Sequence, residues 1–577
     1  MTDKSLRLAV VQADPVLGDI DGNLSRALSF VDAHSDADLV VFPECFLTGY
    51  PIEDLALRPG FITRAEDALS DLHKAVIERE GPGALIGAPV SGADLPYNAA
   101  VLLSPDGARR VTRKVELPSH DVFDERRVFA SEGGAPSPVS FRGVRLGVLI
   151  CEDVWHGRVS RALADEGAEA LIALNGSPYE RGKREVRHDL VRARTRETGL
   201  PVVYANLVGG QDELVFDGAS FVHDPDGGLW EVDAFTEKVM DLVLKGDASG
   251  LRVVPRGAKA PVSAQTPATG LDYAACVTGL RGYVTKIGAP HVVVGVSGGI
   301  DSALVLTMAV DALGADKVIG VMMPSRHTGE ESLDLANDLM TRLGVRQVTA
   351  PVEPGYKVMT AGVEAAVAAT VPDTLPDFGV TRENLQSRLR AVTLMGMTNA
   401  IGGIVLSTGN KSEMSAGYAT LYGDMCGGFN PLKSVYKSDA FRMARWRNAA
   451  TGVLGAGAVT ADPIPDRIIT RPPSAELAPD QNDEDALGDY EVLDMTLRGL
   501  IEDRLDARSV ARRLAARMGE DHVVEKTGET PAVYAARVSR LTRIAQYKRD
   551  QSPPGVKLNP TDFGPGWRYP VAGRYEL

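Results

Sequence analysis

A chain of 577 residues with 44% hydrophobic and 24% charged content is expected to form two or more domains around separate cores. Its formal net charge of −15 argues against a nucleic-acid partner, which is held through clustered Lys and Arg, and favours small-molecule substrates. No apolar run approaches the ~18 residues of a membrane span, and the short apolar start is interrupted by Gln12 and Asp14, so no membrane association is expected and the cytoplasm is the default. Cys45, Cys151, Cys276 and Cys426 lie far apart with no CxxC pair, which indicates neither a disulfide framework nor a cysteine metal cluster.

The first half carries short β-prone runs: LRLAVVQ, ADLVVFPE, GALIGAPV, YNAAVLLS, VRLGVLICED, EALIALNGS and LPVVYANLV. Turn signals such as Pro105-Asp106-Gly107 and Asp226-Gly227-Gly228 fall between strands. Helical spacing of Leu24, Leu28 and Val31 follows Asn23, a suitable N-cap. Arg187 to Arg196, where basic residues alternate with acids and apolar residues, reads as a solvated helix face. These patterns predict a layered α/β domain over residues 1–251.

Arg252 to Gly270 is rich in Pro and Ala with little periodicity and is the expected linker. From 271 to 577 strand and helix alternate again: HVVVGV, a helix from Asp301 to Leu313, KVIGVMMP, a helix over Glu331 to Leu343, RQVTAPV, a helix over Arg382 to Ala400, and GIVLST. That order predicts a doubly wound parallel sheet with its ligand site at the carboxyl ends of the strands. Asp466 to Asp489, polar and Pro-rich, reads as a long loop.

Three residues at ends of apolar or polar segments draw attention together. Cys151 follows the strand GVLI, Glu44 ends LVVFPE, and Lys114 precedes Leu117-Pro118. Alone, each would be a small core residue or a solvated strand end. Together they supply a nucleophile active as thiolate, a base that takes its proton and later activates water, and an ammonium that stabilises the developing oxyanion. FPECFLTGYP, RKVELP and LICEDVW resemble the catalytic segments of the nitrilase family. The resemblance implies an α-β-β-α sandwich with a Glu44, Lys114, Cys151 triad. NGSPYERGKREVR is similar to the segment with which glutaminases of that family hold glutamine, which implies Ser177 and Lys183 as contacts. Where such members have LPNY this chain has LPSH, so His120 stands at the place of a glutamine-contacting tyrosine.

After HVVVGV comes Gly295-Val296-Ser297-Gly298-Gly299-Ile300-Asp301-Ser302, opening a helix. Glycines let backbone N–H groups fold around an anion and the helix N-terminus adds positive potential, so this is a phosphate site, although neither a Walker A loop nor GxGxxG. SGGIDS resembles the pyrophosphate loop of ATP pyrophosphatases, which activate a carbonyl by adenylation. RENLQSRLR, LSTGNKSE, TLYGDMCGGFNPLKSVYKSD, IITRPPSAEL and YKRDQSPPG then occur in the order found in NAD synthetases. With the amidase segments ahead of them, nearly the whole chain is similar to the glutamine-dependent NAD synthetases.

That resemblance implies an ATP-dependent carbon–nitrogen ligase. Thr408 and Lys437 are expected at ATP, Asn384, Glu413 and Lys548 at deamido-NAD, and Asp301 and Glu413 at Mg²⁺, whose preference is for hard carboxylate oxygens beside polyphosphate. Glutamine, deamido-NAD and ATP are the expected substrates, a homo-oligomer is the expected assembly, and ammonia is expected to travel in a shielded channel. Two other readings stay open: an adenylating amidotransferase for another carboxylate, which need not keep RENLQSRLR or YKRDQSPPG, and a non-catalytic nucleotide-binding regulator, which need not keep the amidase triad.

Overall fold

In the first strand, Ser5–Gln12, Leu6, Leu8 and Val10 point to one face and Ala9 and Val11 to the other, and all five are buried. Such two-sided burial requires a sheet covered on both faces. The computed structural model shows why, and describes residues 4–134, 136–247, 250–255, 266–370, 377–457, 459–473, 476–477, 487–564, 566–573 and 575. It divides into two compact units, Met1–Thr266 and Pro267–Leu577.

In the first unit a seven-stranded sheet runs in the order Gly250–Pro255, Lys238–Asp247, Ser5–Gln12, Leu39–Val41, Gly83–Val90, Tyr97–Leu103, Arg109–Arg113. A six-stranded sheet runs Leu229–Glu231, Phe221–His223, Val202–Asn206, Ala170–Asn175, Val144–Ile150, Val139–Phe141. Leu8, Val10 and Val41 of the first sheet and Val148, Ile172 and Val203 of the second share one core between the sheets. The outer face of the first sheet packs on helices Ile20–Ala33 and Pro59–Arg79 through residues such as Ala27, Leu69, Leu72 and Val76. Gly157–Asp165 and Lys183–Thr198 cover the second sheet through Val159, Leu163 and Val191. The unit is therefore the α-β-β-α sandwich expected from the sequence. Each large aliphatic side chain so buried contributes roughly 1.5–3 kcal/mol relative to exposure.

Three local expectations are corrected. The first helix begins at Ile20, and Asp19, whose carboxylate accepts from the Gly22 N–H at 3.0 Å, is its N-cap. Asn23 lies inside the helix, where its side chain bonds both backbone groups of Val16. The Arg187 to Arg196 segment is solvated only in part: Asp189 and Arg196 are exposed, but Arg187, His188 and Arg194 are buried, and Arg187 pairs with Asp217. The stretch read as linker is structured at both ends, because Gly250–Pro255 adds to the sheet edge and helix Ala268–Lys286 starts early. Residues 256–265 between them lie outside the described residues.

In the second unit four parallel strands run in the order Arg346–Thr349, Val318–Met322, Val292–Gly295, Ile404–Leu406. The chain order reverses between Val292–Gly295 and Ile404–Leu406, so a crevice opens beyond their carboxyl ends. Val293, Val321 and Val405 pack beneath Leu394 of helix Gly379–Ile401. A helical region follows, with Tyr490–Ile501, Ala507–Met518 and Pro531–Ile544 around Leu493, Leu497, Leu514 and Tyr534. The long loop expected from Asp466 to Asp489 contains a short helix, Asp466–Thr470, because Ile468 and Ile469 have core to bury against; residues 478–486 lie outside the described residues. No helix among the described residues is long and apolar enough to cross a membrane.

Candidate active sites

In the first unit the strand-to-helix turn after Val144–Ile150 puts Cys151 at φ 45°, a conformation costly for a residue with a Cβ and frequent where a side chain must be aimed. Asp153 pins this turn by accepting from the Ile150, Val115 and Glu116 backbone N–H groups, which also ties it to the segment carrying Lys114. Lys114 and Glu44 are fully buried and Cys151 is 7% exposed. The Lys114 ammonium donates to Glu44 at 2.8 Å and to Glu125 at 3.0 Å. Glu44 also accepts from Asn98 and from the Gly176 N–H, both at 2.8 Å, while Tyr50 donates to Glu125 at 2.8 Å.

The structure thus places a second acid beside the expected triad. Glu125 stands on a turn, Glu125–Arg127, inside the polar stretch HDVFDERR, where nothing in the sequence separates it from surface charge. Burial and then the Glu44 charge hold its carboxyl up at about 7, against the pull of Lys114. Burial lowers the Lys114 ammonium, yet Glu125 and Glu44 more than offset this and keep it firmly charged. Burial, followed by Glu44, pushes the Cys151 thiol well up, with Lys114 opposing. Burial at this position thus favours the neutral form of the sulfur.

Of the remaining residues expected at glutamine, Ser177 and His120 border this centre, whereas the contact of Lys183 is with Glu180. Ser177 is buried beside Gly176, with its N–H donating to Asn206 at 2.9 Å and its carbonyl accepting from the Asn206 amide at 3.1 Å. Lys183 opens the helix Lys183–Thr198 and lies 3.5 Å from Glu180. The His120 side chain is 65% exposed, 3.7 Å from Glu152, and its ring meets the edge of Phe123, which stacks on Tyr50.

In the second unit the loop after Val292–Gly295 closes on itself. Ser302 Oγ accepts from the Ser297 N–H at 3.2 Å, and Ser297 Oγ accepts from the Gly299 N–H at 3.2 Å. Gly298 has φ +78°, and a Cβ there would lie 2.4 Å from the Ser332 carbonyl oxygen, so glycine is required. Gly299 is the N-cap of helix Ile300–Leu313, and no side chain makes a capping bond there, as suits a helix start that receives an anion.

Asp301, in the first turn of that helix, meets two other expected residues. The Lys437 ammonium donates to Asp301 at 2.5 Å and to Glu413 at 3.2 Å. Asn410 donates to Asp301 at 3.2 Å and forms a reciprocal capping box with Glu413, which fixes the carboxylate at the start of helix Lys411–Ala416. Asn410 was not singled out from the sequence, although its Asn-x-x-Glu spacing in LSTGNKSE carries the capping signal. Lys437 begins helix Lys437–Ala449, whose other end is held to helix Ile300–Leu313 by the buried Arg447–Asp311 pair at 2.7 Å.

A cavity of about 440 Å³ in this unit is lined by Gly295, Val296, Ser297, Thr408, Asn384 and Lys548 among others. It joins residues expected at ATP to two expected at deamido-NAD; Gly298, Gly299, Ile300, Asp301, Ser302, Glu413 and Lys437 are outside its lining. Asn384 accepts from Thr420 at 2.8 Å, and Lys548 donates to the Gly417 and Ala419 carbonyls at 2.7 Å each. Burial holds the Lys548 ammonium below its ordinary range, partly opposed by Asp424.

A buried Cys, Lys and Glu centre in a four-layer sandwich, joined in one chain to a glycine-rich phosphate loop at the switch point of a parallel sheet, defines an amidase coupled to a nucleotide-using enzyme. Family comparison agrees: carbon-nitrogen hydrolases match residues 7–244 and NAD synthases match residues 272–550. A glutamine-dependent NAD(+) synthetase of Rhodobacter capsulatus is 44% identical over 578 residues, 100% of this chain and 99% of its own. One from Xanthomonas campestris pv. campestris (strain 8004) is 41% identical, covering 100% and 99%. The structure of the Acinetobacter baumannii glutamine-dependent NAD+ synthetase in complex with ADP matches with TM-score 0.72 and 33% identity over 98% of each chain. The chain belongs to the glutamine-dependent NAD(+) synthetase family.

Proposed function

We propose that this enzyme makes NAD from deamido-NAD, ATP and glutamine, and that Glu44, Lys114 and Cys151 carry the glutamine half. The observation that supports this half most is the buried Lys114 ammonium shared by Glu44 and Glu125 beside Cys151. Cys151 Sγ attacks the amide carbon as its proton passes to Glu44, and Lys114 stabilises the oxyanion. Glu44 returns the proton to the departing nitrogen, so ammonia leaves and a thioester remains. Water activated by Glu44 then hydrolyses the thioester to glutamate. Ser177, Lys183 and His120 are the glutamine contacts in this reading.

In the second unit the pyridine carboxylate oxygen of deamido-NAD attacks the α-phosphorus of ATP and pyrophosphate leaves; ammonia then attacks the acyl carbon and AMP departs, giving NAD. Residues Gly295 to Ser302, with Thr408 and Lys437, hold ATP, and Asn384, Glu413 and Lys548 hold deamido-NAD. Asp301 and Glu413, each 16% exposed at the side chain and sharing one ammonium, offer the donor set that Mg²⁺ takes together with polyphosphate. Mg²⁺ bound there would neutralise charge on the departing pyrophosphate. Free ammonia is largely protonated in neutral water, so its passage is shielded, and a bulk ammonia trap leaves glutamine-driven synthesis intact. The assembly in this reading is a homo-oligomer, which sedimentation of the full chain tests. The function is tested by mass identification of products from deamido-NAD, ATP, Mg²⁺ and glutamine: NAD, AMP, pyrophosphate and glutamate are expected, and ADP with phosphate would overturn it.

A further inference from the structure

Asp494, on helix Tyr490–Ile501, is 2% exposed and lies outside every motif used above. One carboxylate oxygen accepts from the Ser412 hydroxyl, and the other accepts from the Ser438 N–H at 2.8 Å. Ser412 Oγ in turn accepts from the Lys437 N–H at 2.9 Å. Ser412 immediately precedes Glu413, and Ser438 immediately follows Lys437. A single carboxylate therefore clamps the first turns of two separate helices, Lys411–Ala416 and Lys437–Ala449, at the points where Glu413 and Lys437 meet each other and Lys437 meets Asp301.

We infer that Asp494 is a positioning residue of the ATP site, which, through Ser412 and Ser438, sets the distance at which the Glu413 carboxylate and Lys437 ammonium face polyphosphate. The inference rests on the reading of Asp301, Glu413 and Lys437 as the polyphosphate site. A carboxylate suits this task because it accepts at both oxygens, and the two groups it meets, the Ser412 hydroxyl and the Ser438 N–H, are both donors. An amide at 494 keeps the shape but offers one acceptor in place of two. Loss of the clamp should not disturb the 440 Å³ cavity, whose lining contains neither Asp494 nor Ser412.

The test is equilibrium binding of ATP, with Mg²⁺, and of AMP, each by calorimetry on the full chain. Asp494→Asn and Ser412→Ala should each weaken ATP binding about five-fold, the scale of one net hydrogen bond. AMP, which lacks the β- and γ-phosphates, should bind as before. The double variant should be little weaker than the worse single one, since both changes break the same linkage. Ser415→Ala is the control: it is buried on the same short helix but donates only to the Lys411 carbonyl, and should leave ATP affinity unchanged. Lys437→Met separates the two readings. If it leaves ATP affinity unchanged, the polyphosphate assignment itself falls. If it weakens ATP binding while Asp494→Asn and Ser412→Ala do not, or if these two weaken ATP and AMP equally, positioning by Asp494 is overturned. Should Asp494→Asn fail to fold, Ser412→Ala alone decides.

Discussion

The two candidate centres solve opposite electrostatic problems. In the first unit the charges are sealed in and balanced by the chain itself: Glu44 and Lys114 are fully buried and Glu125 nearly so. In the second, Asp301 and Glu413 keep their side chains 16% exposed at the mouth of an open helix N-terminus. In the proposed reading the amidase centre is assembled by the chain alone before glutamine, a zwitterion with no net charge, arrives. In the same reading the centre around Asp301, Glu413 and Lys437 is completed by the highly charged ligand that we propose for it. Preorganisation therefore resides in buried ion pairs in one unit and in helix starts in the other.

The strongest way to break this contrast is to remove the sulfur. Cys151→Ala should lower glutamine-driven synthesis by about a thousand-fold or more, while high ammonium at alkaline pH restores NAD formation. Persistent glutamine use would show that Cys151 is not the nucleophile. Lys114→Met should also abolish glutamine use and, by leaving the buried Glu44 carboxylate without its cation, cost about 3–5 kcal/mol in the unfolding transition of the first unit. A variant as stable as the parent in chemical denaturation would contradict the sealed-charge account.

Asp301→Asn and Glu413→Gln should instead lower synthesis about 100-fold with either nitrogen source, because the compensation of polyphosphate charge is lost. Since these carboxylates are partly exposed, the melting temperature should move little. A loss confined to glutamine as donor would remove them from the phosphate site.

How far these centres were legible depended on whether their residues sat in patterned segments. Strands such as GALIGAPV, and ALIALN up to its last residue, are apolar without interruption because both sheet faces are covered, and they stand out at once. Cys151, Glu44 and SGGIDS were visible because each ends such a strand. Glu125 and Asp494 were not, since a lone acid in a polar turn or an amphipathic helix looks the same whether it faces water or a buried partner. The N-cap was misplaced because Asp19 and Asn23 are both capping residues, and only the contact of Asn23 with Val16 decides between them. The Arg187 face failed for a related reason: its counter-charge, Asp217, comes from a distant strand, Leu214–Asp217.

A smaller effect should be visible in pH dependence. Because burial holds the Glu125 carboxyl at about 7, above its ordinary value of 4.5, its contribution to stability is complete below the ordinary value and is lost as pH rises through about 7. Glu125→Gln should flatten that decline in denaturation series between about pH 5 and about pH 8. A parallel slope in both proteins would show that the acid is not held neutral. The smallest effect is expected at the exposed rim: His120→Tyr should change the glutamine KM by about two- to five-fold, the scale of one exposed contact, with ammonia-driven KM and kcat unchanged. Identical glutamine KM values would place His120 outside the pocket.

The central claim, that one sealed centre releases nitrogen and one ligand-completed centre installs it, is tested most directly by following the atom. Glutamine carrying heavy nitrogen only in its side-chain amide is incubated with deamido-NAD, ATP and Mg²⁺, and the products of the parent and of Cys151→Ala are identified by mass. The account predicts heavy NAD with AMP, pyrophosphate and glutamate from the parent, and none from Cys151→Ala until unlabelled ammonium is added, when light NAD forms. Heavy NAD from Cys151→Ala, or synthesis accompanied by ADP and phosphate, would contradict it.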